Sequence, residues 1–566
     1  MAIKHSTLPL LLSAALLSAC GGSSGGDGSS SPTSQKPGQQ QPTSPGDKPQ
    51  PNPQPEPPAP SNDDDNDGVL NEQDIDDDND GLIEISSIAM FNNIRYNLTG
   101  SSYHDGDQAI TSGCPNTETI KGCNGYELTQ TLNFSQSEFA KGKGDNLGWQ
   151  AIGNYKAPFK AKFDGNNFTL KNFYINQNLE YSGLFGALQD ASVVNLNIEG
   201  ELVDRGDTKF IGMLAGFIRS PDKNSPSAGI IRNVHVSGQI TANNSRATGA
   251  LIGEQRSGYY AVEYCSPLPC DDKIIDIPAA TIIAVSSEVN IRTRGGRVGG
   301  LVGIKSGGSL VSSFAKGVIE SEYATLGGLV GELKPGPKEH KNRIVSSMAN
   351  NSLTTQRGAV AGGLVGIQYL DTEIIASYSA NNKVASDKKA AGFVGQWSSS
   401  SGFTTQKSRI LNSYTRSQNI NGGSFIHGFS AGLFNGRGLG PVVENSYWDI
   451  DKTKDGTVTS FQTKKKVIRS SHGVGYSANQ LKGSEAVNNQ TPGYRTDASA
   501  TFDAPFYHWL PTDWTPTTND EKLRVYCDDN GDGVIQDNEN TAIWNMGSNQ
   551  QYPIINCIAA EHQSRD

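Results

Sequence analysis

The residues with the clearest chemical potential are aspartates at alternate positions in an acidic stretch between residues 63 and 80. Each half of this stretch ends in an Asp-Gly pair, at Gly68 and at Gly81. Alternate side chains of a loop that turns sharply at a glycine can converge their oxygens on one hard cation, which is how calcium loops bind. The sequence therefore predicts calcium sites; the alternative is a solvated acidic spacer, as is usual for like-charge runs. The predicted ligands are Asp63, Asp65, Asp67, Asp74, Asp76, Asp78 and Asp80.

A further candidate calcium site lies near the C-terminus, in residues 528–539. Five residues match the twelve-residue calcium-loop template at positions 1, 3, 5, 6 and 12, namely Asp528, Asn530, Asp532, Gly533 and Glu539. Glu539 would then bind bidentately. No convincing helices flank the segment, so the prediction is an isolated calcium loop. The alternative is an Asn/Asp/Gly turn between two strands, closed by Cys527 and Cys557.

The N-terminus indicates export and a lipid anchor. Lys4 and an apolar run from Leu8 to Leu17 form a secretory signal, which ends in Leu17-Ser18-Ala19-Cys20. This ending resembles the lipobox of bacterial lipoproteins and implies cleavage before Cys20, with lipidation of its thiol and of the new amino terminus. The alternative is an ordinary signal peptide with an incidental cysteine. No later apolar run is long enough to span a membrane.

The six other cysteines fall into three pairs that are close in sequence. In an oxidising compartment each pair would close one local loop. Six cysteines allow fifteen connectivities, and proximity favours Cys114–Cys123, Cys265–Cys270 and Cys527–Cys557.

A repeat is what must position these residues. A short apolar word bracketed by glycines, such as Gly327-Gly328-Leu329-Val330-Gly331, recurs eight times between residues 183 and 435, at intervals of 28 to 50 residues. Such spacing is typical of a repeat architecture with loops inserted between the units. The copies begin at Gly183, Gly212, Gly249, Gly299, Gly327, Gly362, Ala391 and Ala431.

A second word of strand length, such as Ile410-Leu411-Asn412-Ser413-Tyr414, accompanies the first. The two words leave no room for crossover helices, so the sequence predicts an all-β, right-handed parallel β-helix, or β-solenoid, in which each coil pairs with the next. The glycines would permit tight corners where a Cβ would clash. A β-propeller is the main rival, but its blades need more regular intervals.

These paired words resemble the GLUG motif of bacterial surface and adhesin-like proteins. The flanking segments fit as well, at Gly148-Trp149-Gln150 and at Asn445-Ser446-Tyr447-Trp448, and the resemblance covers about residues 82 to 557. The tandem Asp units resemble the thrombospondin type 3 calcium repeats of secreted proteins. The resemblances imply an extracellular β-solenoid that binds calcium.

The predicted organisation is an anchored array. Residues 1–19 are the signal peptide, and residues 20–62 are the lipidated Cys20 and a disordered Pro/Ser/Gly-rich tether of roughly 100 Å. Residues 63–81 are the calcium repeats, and residues 82–147 form an N-terminal cap region whose short capped helix follows Ser86-Ser87. The solenoid spans 148–450, and 451–566 is a C-terminal cap region containing the loop 528–539.

Charge and missing motifs exclude several function classes. Formal net charge is −11, but ten carboxylates lie between residues 63 and 80, so the rest is close to neutral and has no basic stripe for nucleic acid. There is no His-Glu-x-x-His, no Gly-x-Ser-x-Gly elbow around a catalytic triad and no phosphate-binding glycine loop. Parallel solenoids also carry polysaccharide lyases and hydrolases; the candidates are Asp164, Asp371, Glu373, Lys407 and Arg409, which nothing in the sequence places together.

The predicted function is therefore that of a non-enzymatic, lipid-anchored surface protein, stabilised by calcium, whose solenoid flank binds a glycan, matrix component or protein. Gly21 directly after Cys20 resembles the sorting of lipoproteins to the outer membrane of Gram-negative bacteria. The first alternative is an extracellular polysaccharide lyase or hydrolase. The second is a structural subunit of a surface assembly, which would leave an apolar patch or an unpaired edge exposed. The sequence leaves the oligomeric state open.

Overall fold

Short apolar strands separated by Gly, Asn and Ser turns stack into a parallel β-solenoid in the computed structural model. Neighbouring strands pair in parallel register along nearly the whole array, so the predicted fold class is confirmed. Residues 61–566 form one compact unit. The structure describes residues 62–206, 208–220, 228–256, 279–336, 341–357, 360–398, 407–423, 425–430, 441–452, 474–482, 491–492, 501–502, 509–510, 515–547 and 551–566.

Between residues 169 and 398, each coil contributes described strands to three sheets. In one coil, Ser309–Val311 and Phe314–Ser321 belong to the long sheet, Thr325–Gly327 to the second sheet and Val330–Lys334 to the third sheet. Coils are stacked about 4.8 Å apart, the ordinary spacing between paired strands. The apolar side chains between the three sheets form one continuous buried core.

The long sheet comprises, among the described residues, Leu82–Ile85, Gly125–Leu128, Leu132–Asn133, Lys162–Asp164, Thr169–Gln177, Ser192–Asp204, Ile230–Ala242, Thr281–Ile283, Ser286–Thr293, Ser309–Val311, Phe314–Ser321, Asn342–Val345, Met348–Thr355, Thr372–Ile375, Tyr378–Ser379, Lys383–Ser386, Arg409–Leu411, Tyr414–Thr415, Ile420–Gly422, Val442–Glu444, Tyr447–Asp449 and Val474–Tyr476. The second sheet comprises Tyr181–Ser182, Phe210–Ile211, Ala247–Gly249, Arg297–Gly299, Thr325–Gly327, Val360–Gly362, Lys389–Ala391 and Phe425–His427. The third comprises Phe185–Leu188, Ala215–Ile218, Ile252–Gln255, Val302–Ser306, Val330–Lys334, Val365–Tyr369 and Val394–Ser398.

The remaining described elements are short. Three antiparallel hairpins pair Tyr103–Asp105 with Gln108–Ile110, Thr491–Pro492 with Thr501–Phe502, and Trp544–Asn545 with Ile554–Ile555. The α-helices are Ile88–Asn93 and Asn519–Lys522, and the 3-10 helices are Ile94–Tyr96, Phe134–Gln136, Ala478–Leu481 and Ala560–His562. No helix of the described residues has both the length and the apolar character needed to cross a membrane.

The glycine words form the corner between the second and third sheets. In the word that begins at Gly362, a Cβ added to Gly363 would lie 1.8 Å from the carbonyl oxygen of Gly392 in the next coil, so a side chain has no room there. The apolar residue that follows, Leu364, is fully buried in the core. The eighth word was predicted at residues 431–435, which lie outside the described residues. The ladder instead places Gly428 and Phe429 at this position, because Phe393 donates its amide hydrogen to the carbonyl of Phe429.

The segments of the second repeated motif, such as Asn412-Ser413-Tyr414, bend the long sheet, and a ladder of serine hydrogen bonds stabilises the bend. Ser312, Ser346 and Asn412 precede the ladder residues in the left-handed backbone region, with φ between 48° and 49°. Each ladder serine donates its hydroxyl to the carbonyl two residues earlier and accepts an amide hydrogen from the preceding coil, as Ser347 does at 2.8 and 3.2 Å; the amide belongs to the preceding ladder serine, except that Ser313 accepts from Val285. The ladder members are Ser313, Ser347, Ser377, Ser413 and Ser446.

The predicted capping helix is present at the N-terminal end. Ser87 caps it by accepting the amide hydrogen of Met90 at 3.2 Å. The helix buries Phe91, whose ring lies 5.2 Å from that of Trp149 and 5.8 Å from that of Phe163. The parallel ladder begins earlier than the predicted solenoid boundary at residue 148, because Leu82–Ile85 already pairs with Gly125–Leu128.

The C-terminal region differs from the cap that the sequence suggested. Val474–Tyr476 extends the long sheet beyond Tyr447–Asp449. The described residues between 509 and 566, however, lie over the outer face of the long sheet and form a second apolar core with it. Tyr414 shows the contact, because its ring lies 5.7 Å from that of Trp544 and its hydroxyl donates to the carbonyl of Pro553. The region covers a flank because that face of the sheet is apolar.

Candidate calcium loops and corner cleft

The three predicted calcium loops share one local conformation. In each, the first aspartate accepts the amide hydrogen of the glycine five residues later: Asp63 from Gly68 at 3.2 Å, Asp76 from Gly81 at 2.9 Å and Asp528 from Gly533 at 3.0 Å. The third and fifth positions each accept the amide hydrogen two residues further on, in all three loops. The glycines have φ of 97°, 89° and 80°, a region that favours glycine. The Asp-x-Asp/Asn-x-Asp-Gly pattern thus adopts the same backbone conformation in all three loops.

The first loop leaves oxygens unpaired in its interior. Carboxylate oxygens of Asp63, Asp65 and Asp67 all lie within 4.8 Å of one another. One oxygen each of Asp63, Asp65 and Asp74 is buried without a hydrogen-bond partner. A buried, unpaired carboxylate oxygen is costly, and a hard cation with several oxygen ligands removes that cost. The residues present therefore fit a calcium ion, with Asp74 at the twelfth position of the loop.

The second loop draws in two glutamates that the sequence analysis missed. Carboxylate oxygens of Asp76, Asp78 and Glu84 lie within 4.8 Å of one another, and so do those of Asp78, Asp80 and Glu127. Glu84 and Glu127 are register partners on adjacent strands of the long sheet. The register of two strands that are distant in sequence brings the glutamates to the loop, so no local spacing could have revealed them.

Crowded carboxylates in this cluster have raised pKa values. Burial raises the pKa of Asp76 to about 7 and that of Glu84 to about 9, and burial together with Asp80 and Asp78 raises the pKa of Glu127 to about 7. Burial is the main cause, and neighbouring carboxylates add to it. A divalent cation would favour their ionised forms and release protons on binding.

The third loop is arranged differently. Glu539 folds back across it, with one oxygen accepting from the amides of Asp529 and Asn530 at 2.9 and 3.3 Å and the other from Gln536 at 2.8 Å. Both oxygens of Asp528 also accept backbone amides, and burial raises its pKa to about 6. The convergence of three carboxylates found in the first two loops does not occur among the described residues of this one. The loop packs against the solenoid flank, since a Cβ on Gly531 would meet Ile283.

Two of the three expected disulfides are present, Cys114–Cys123 and Cys527–Cys557. The first closes a segment that packs on the acidic loops: Ser112 donates to the carbonyl of Gln73, and Asn124 donates its amide hydrogen to the carbonyl of Gly81. Cys265 and Cys270 lie outside the described residues, and so do Cys20 and residues 1–61.

Most of the candidate catalytic residues are engaged in ion pairs, hydrogen bonds or turns that stabilise the fold, and they do not form one site. Glu373 and Arg409 do meet, at 3.2 Å, but Glu373 is also paired with Lys341 and Arg343, both at 2.9 Å, and its side chain is only 3% exposed. Asp164 accepts hydrogen bonds from Asn195. Asp371 is buried in a turn with φ of 58°, and Lys407 is exposed. The structure therefore joins two of the five in one buried ion cluster beneath the C-terminal region.

A cleft of about 580 Å³ lies where the outer faces of the second and third sheets meet, and we call it the corner cleft. Four cationic side chains and one carboxylate line it, together with polar and aromatic groups: Lys209, Arg246, Arg297, Lys334, Glu332 and Tyr369. Glu332 is almost buried and pairs with Arg297 at 3.0 Å and with Lys334 at 3.8 Å. Burial and the hydrogen bond with Glu332 raise the pKa of Tyr369 to about 12. The lining residues come from several coils and two sheets, so no local sequence motif marks this cleft and it was not predicted.

Aromatic rings continue from the cleft along the array. Arg246 lies over the ring of Phe210 at 5.6 Å, Phe210 stacks on Tyr181 at 5.5 Å, and Tyr181 stacks on Tyr155 at 6.0 Å. Tyr155 is 41% exposed, whereas Phe210 is buried. On another side, the exposed Tyr323 donates its hydroxyl to Asn244, which lines the cleft.

Comparisons with known proteins assign no family to this chain. No family model matches the sequence, so the resemblance to GLUG-motif proteins and to thrombospondin type 3 repeats stays a prediction. The chain is 29% identical to Halomucin of Haloquadratum walsbyi over 158 residues, which are 27% of this chain and 2% of Halomucin's length. The chain thus spans a very small part of that relative.

Two solved structures match this chain at low similarity. A candidate immunoglobulin A1 protease from Bacteroides ovatus is 18% identical, with a TM-score of 0.36, covering 61% of this chain and 84% of that one. An IgA1 protease is 16% identical, with a TM-score of 0.33, covering 64% of this chain and 21% of that one. Strand register in the chain itself remains the basis of the fold assignment.

Proposed function

We propose that this protein is a lipid-anchored, calcium-stabilised binding protein on the surface of a Gram-negative bacterium, whose β-solenoid holds a glycan, matrix or protein ligand. The corner cleft carries this proposal, since it gathers cationic, polar and aromatic groups on a rigid face of the array. Lipidation of Cys20 and a Pro-rich tether would hold that face clear of the outer membrane. Calcium in the acidic loops would fix the N-terminal end of the array.

Binding is favoured over catalysis by the chemistry of the cleft. A polysaccharide lyase needs a base to remove a proton beside a carboxylate, and a hydrolase needs a pair of carboxyl groups. Glu332 is the one carboxylate among the described lining residues and is engaged by Arg297 and Lys334, so the cleft offers no pair of carboxyl groups, and the pKa of about 12 keeps Tyr369 protonated. A carbohydrate-active enzyme is the second candidate function, because Glu332 with Arg297 and Lys334 is a carboxylate with cations in one cleft.

Ligand binding is tested with the full chain on a glycan array, on matrix proteins and on whole cells, alongside a reducing-end assay. Retention of a ligand without release of reducing ends supports the binding function. Release of reducing ends, or of unsaturated products, would establish the enzyme instead. A chain that retains no ligand in any of these formats refutes the binding function.

Calcium is tested by titration calorimetry and thermal unfolding. Extracellular calcium modules bind with dissociation constants of about 0.1 to 1 mM, so about 2 mM calcium would stabilise the fold by up to about 2 kcal/mol per loop. Chelation should lower the melting temperature, and Asp63→Asn and Asp76→Asn should each reduce the effect. Asp107→Asn, an exposed aspartate outside the loops, is the matched control. An identical melting curve with and without chelator, with no heat of binding, contradicts the calcium prediction.

The anchor is tested on Cys20. Wild-type protein should incorporate a labelled fatty acid and fractionate with the outer membrane, whereas Cys20→Ser should do neither. Labelling that persists in Cys20→Ser argues against this lipidation site.

A further inference from the structure

We infer that the ligand of the corner cleft is an acidic polysaccharide, whose carboxylate or sulfate groups are held by Arg246, Arg297 and Lys334. This inference rests on the proposed binding function and names its ligand class. The established features of the cleft are its volume of about 580 Å³, its charge and its shape between two sheets.

The charge of the cleft favours an anion. Four cations line it against one lining carboxylate, Glu332, which is already paired with Arg297 and Lys334; Lys209 is paired at 2.8 Å with Glu180, which lies outside the lining. Arg246 is more than half exposed, and its nearest carboxylate, on Glu254, is 3.7 Å away. Glu254 is instead held tightly by Arg256 at 2.6 Å. Arg246 therefore keeps donors directed to solvent, and a planar guanidinium suits carboxylate or sulfate oxygens.

The spacing of the cations follows the coils. Phe210, Ala247 and Arg297 are register partners in successive coils of the second sheet. Lys209 and Arg246 each directly precede one of these partners, so the two cations repeat at about the 4.8 Å spacing of paired strands. That spacing is comparable with the length of one sugar ring. A linear chain with a charged group on successive sugars can therefore lie along the coil axis and meet one cation after another.

Neutral groups of the cleft favour a sugar over other anions. Asn244 and Ser245 line it and offer hydrogen bonds suited to hydroxyl groups. Tyr323, which is 39% exposed and hydrogen-bonds the lining residue Asn244, presents a ring beside the cleft, and the C–H face of a sugar ring packs on such a surface. Nucleic acid fits poorly, since its dense phosphates would meet Glu332 in the cleft and Glu180 beside Lys209, and would find no continuous basic stripe.

The test compares three probes on the full chain by titration calorimetry. Oligogalacturonate carries a carboxylate on every ring, malto-oligosaccharide of equal length is neutral, and polyglutamate has equal charge without sugar rings. Oligogalacturonate should bind at least tenfold more tightly than either of the others, and its affinity should fall as salt rises because ion pairs are screened. Equal affinity for the neutral sugar or for polyglutamate would overturn the inference.

A triple variant locates the site. Lys209→Gln, Arg246→Gln and Lys334→Gln together should weaken oligogalacturonate binding at least tenfold, while Arg297 is kept to neutralise the nearly buried Glu332. Arg292→Gln with Lys316→Gln, which removes one exposed and one partly exposed ion-paired cation from the long sheet, is the matched control and should bind as wild type. Thermal unfolding of each variant verifies that it is folded. If the array finds a ligand that the triple variant still binds fully, the cleft inference fails while the binding function stands.

Discussion

Glu373 offers the sharpest test of how the solenoid and its C-terminal region hold together. Its side chain, 3% exposed, pairs with Lys341 and Arg343 at 2.9 Å and with Arg409 at 3.2 Å. Arg409 also pairs with Asp520 of the C-terminal region at 3.2 Å. Glu373→Gln leaves three cations around a neutral amide. Removing one partner of a buried ion pair typically costs about 3 to 5 kcal/mol, so the free energy of unfolding should fall by about 3 kcal/mol at pH 7.

The pH dependence of this loss has a definite sign. Burial alone would raise the pKa of Glu373, but Arg343 and Lys341 lower it below the ordinary value of 4.5. A carboxylate whose pKa is lower in the folded than in the unfolded state stabilises the fold above its unfolded-state pKa. That contribution disappears as pH falls through the folded-state pKa. The difference between wild type and Glu373→Gln should therefore be full at pH 7 and shrink as the pH falls below about 4.5.

Urea unfolding followed by tryptophan fluorescence measures the effect, because Trp509 and Trp544 are buried where the C-terminal region meets the solenoid. Glu320→Gln is the matched control: its carboxylate pairs with Arg292 at 3.1 Å, but both side chains are at least half exposed. An exposed pair of this kind contributes at most about 1 kcal/mol. The reasoning fails if Glu373→Gln costs no more than the control, or if its cost is the same at pH 3.5 as at pH 7.

Two further predictions concern the repeat itself. Ser347→Ala removes one rung of the serine ladder and leaves the amide of Ser313 without its acceptor, so the free energy of unfolding in urea should fall by about 1 to 3 kcal/mol. Ser352→Ala is the control, because Ser352 is partly exposed on the strand that follows Ser347, and it should change this free energy little. Gly363→Ala should abolish folded protein, because its Cβ would lie 1.8 Å from a carbonyl oxygen, whereas Gly106→Ala, with nothing within 4 Å and φ of 62°, should cost only about 1 kcal/mol. Yields of soluble protein and circular dichroism distinguish the two glycine variants, and equal yields would contradict the corner geometry.

The repeat could be predicted because the residues that form each corner and its buried contact are neighbours in the sequence. Leu329 and Leu364 follow glycines that cannot carry a side chain, and both the corner and the buried residue stand in the same few letters of sequence. The same holds for the acidic loops, whose hydrogen bonds join residues two or five positions apart. The displaced eighth word shows the limit: Gly428-Phe429 lacks the second glycine and is recognised only through its contact with Phe393.

Residues brought together by strand register could not be predicted. Glu84 and Glu127 meet at the second acidic loop because their strands pair in the long sheet. Glu332 and Arg297 meet in the corner cleft because they belong to neighbouring coils and to different sheets. The number of residues in a coil varies with its inserted loops, so positions that share a column have no fixed separation in sequence.

The flank covered by the C-terminal region is marked in the sequence by apolar residues, but these align into columns only when the strand register is known. One outward column of the long sheet reads Arg232, Ile283, Val311, Val345, Ile375, Leu411, Glu444, and the next reads His235, Ser286, Phe314, Met348, Tyr378, Tyr414, Tyr447. Both columns are apolar where residues of the C-terminal region cover them. Arg232 and Glu444 stand at the ends of the first column, and His235 and Ser286 begin the second, which continues from Tyr447 to Val474. A solvent-facing column of a solenoid has no reason to be apolar over five coils. The C-terminal region therefore covers an apolar flank of the long sheet, whereas the corner cleft, the proposed ligand site, lies on the second and third sheets.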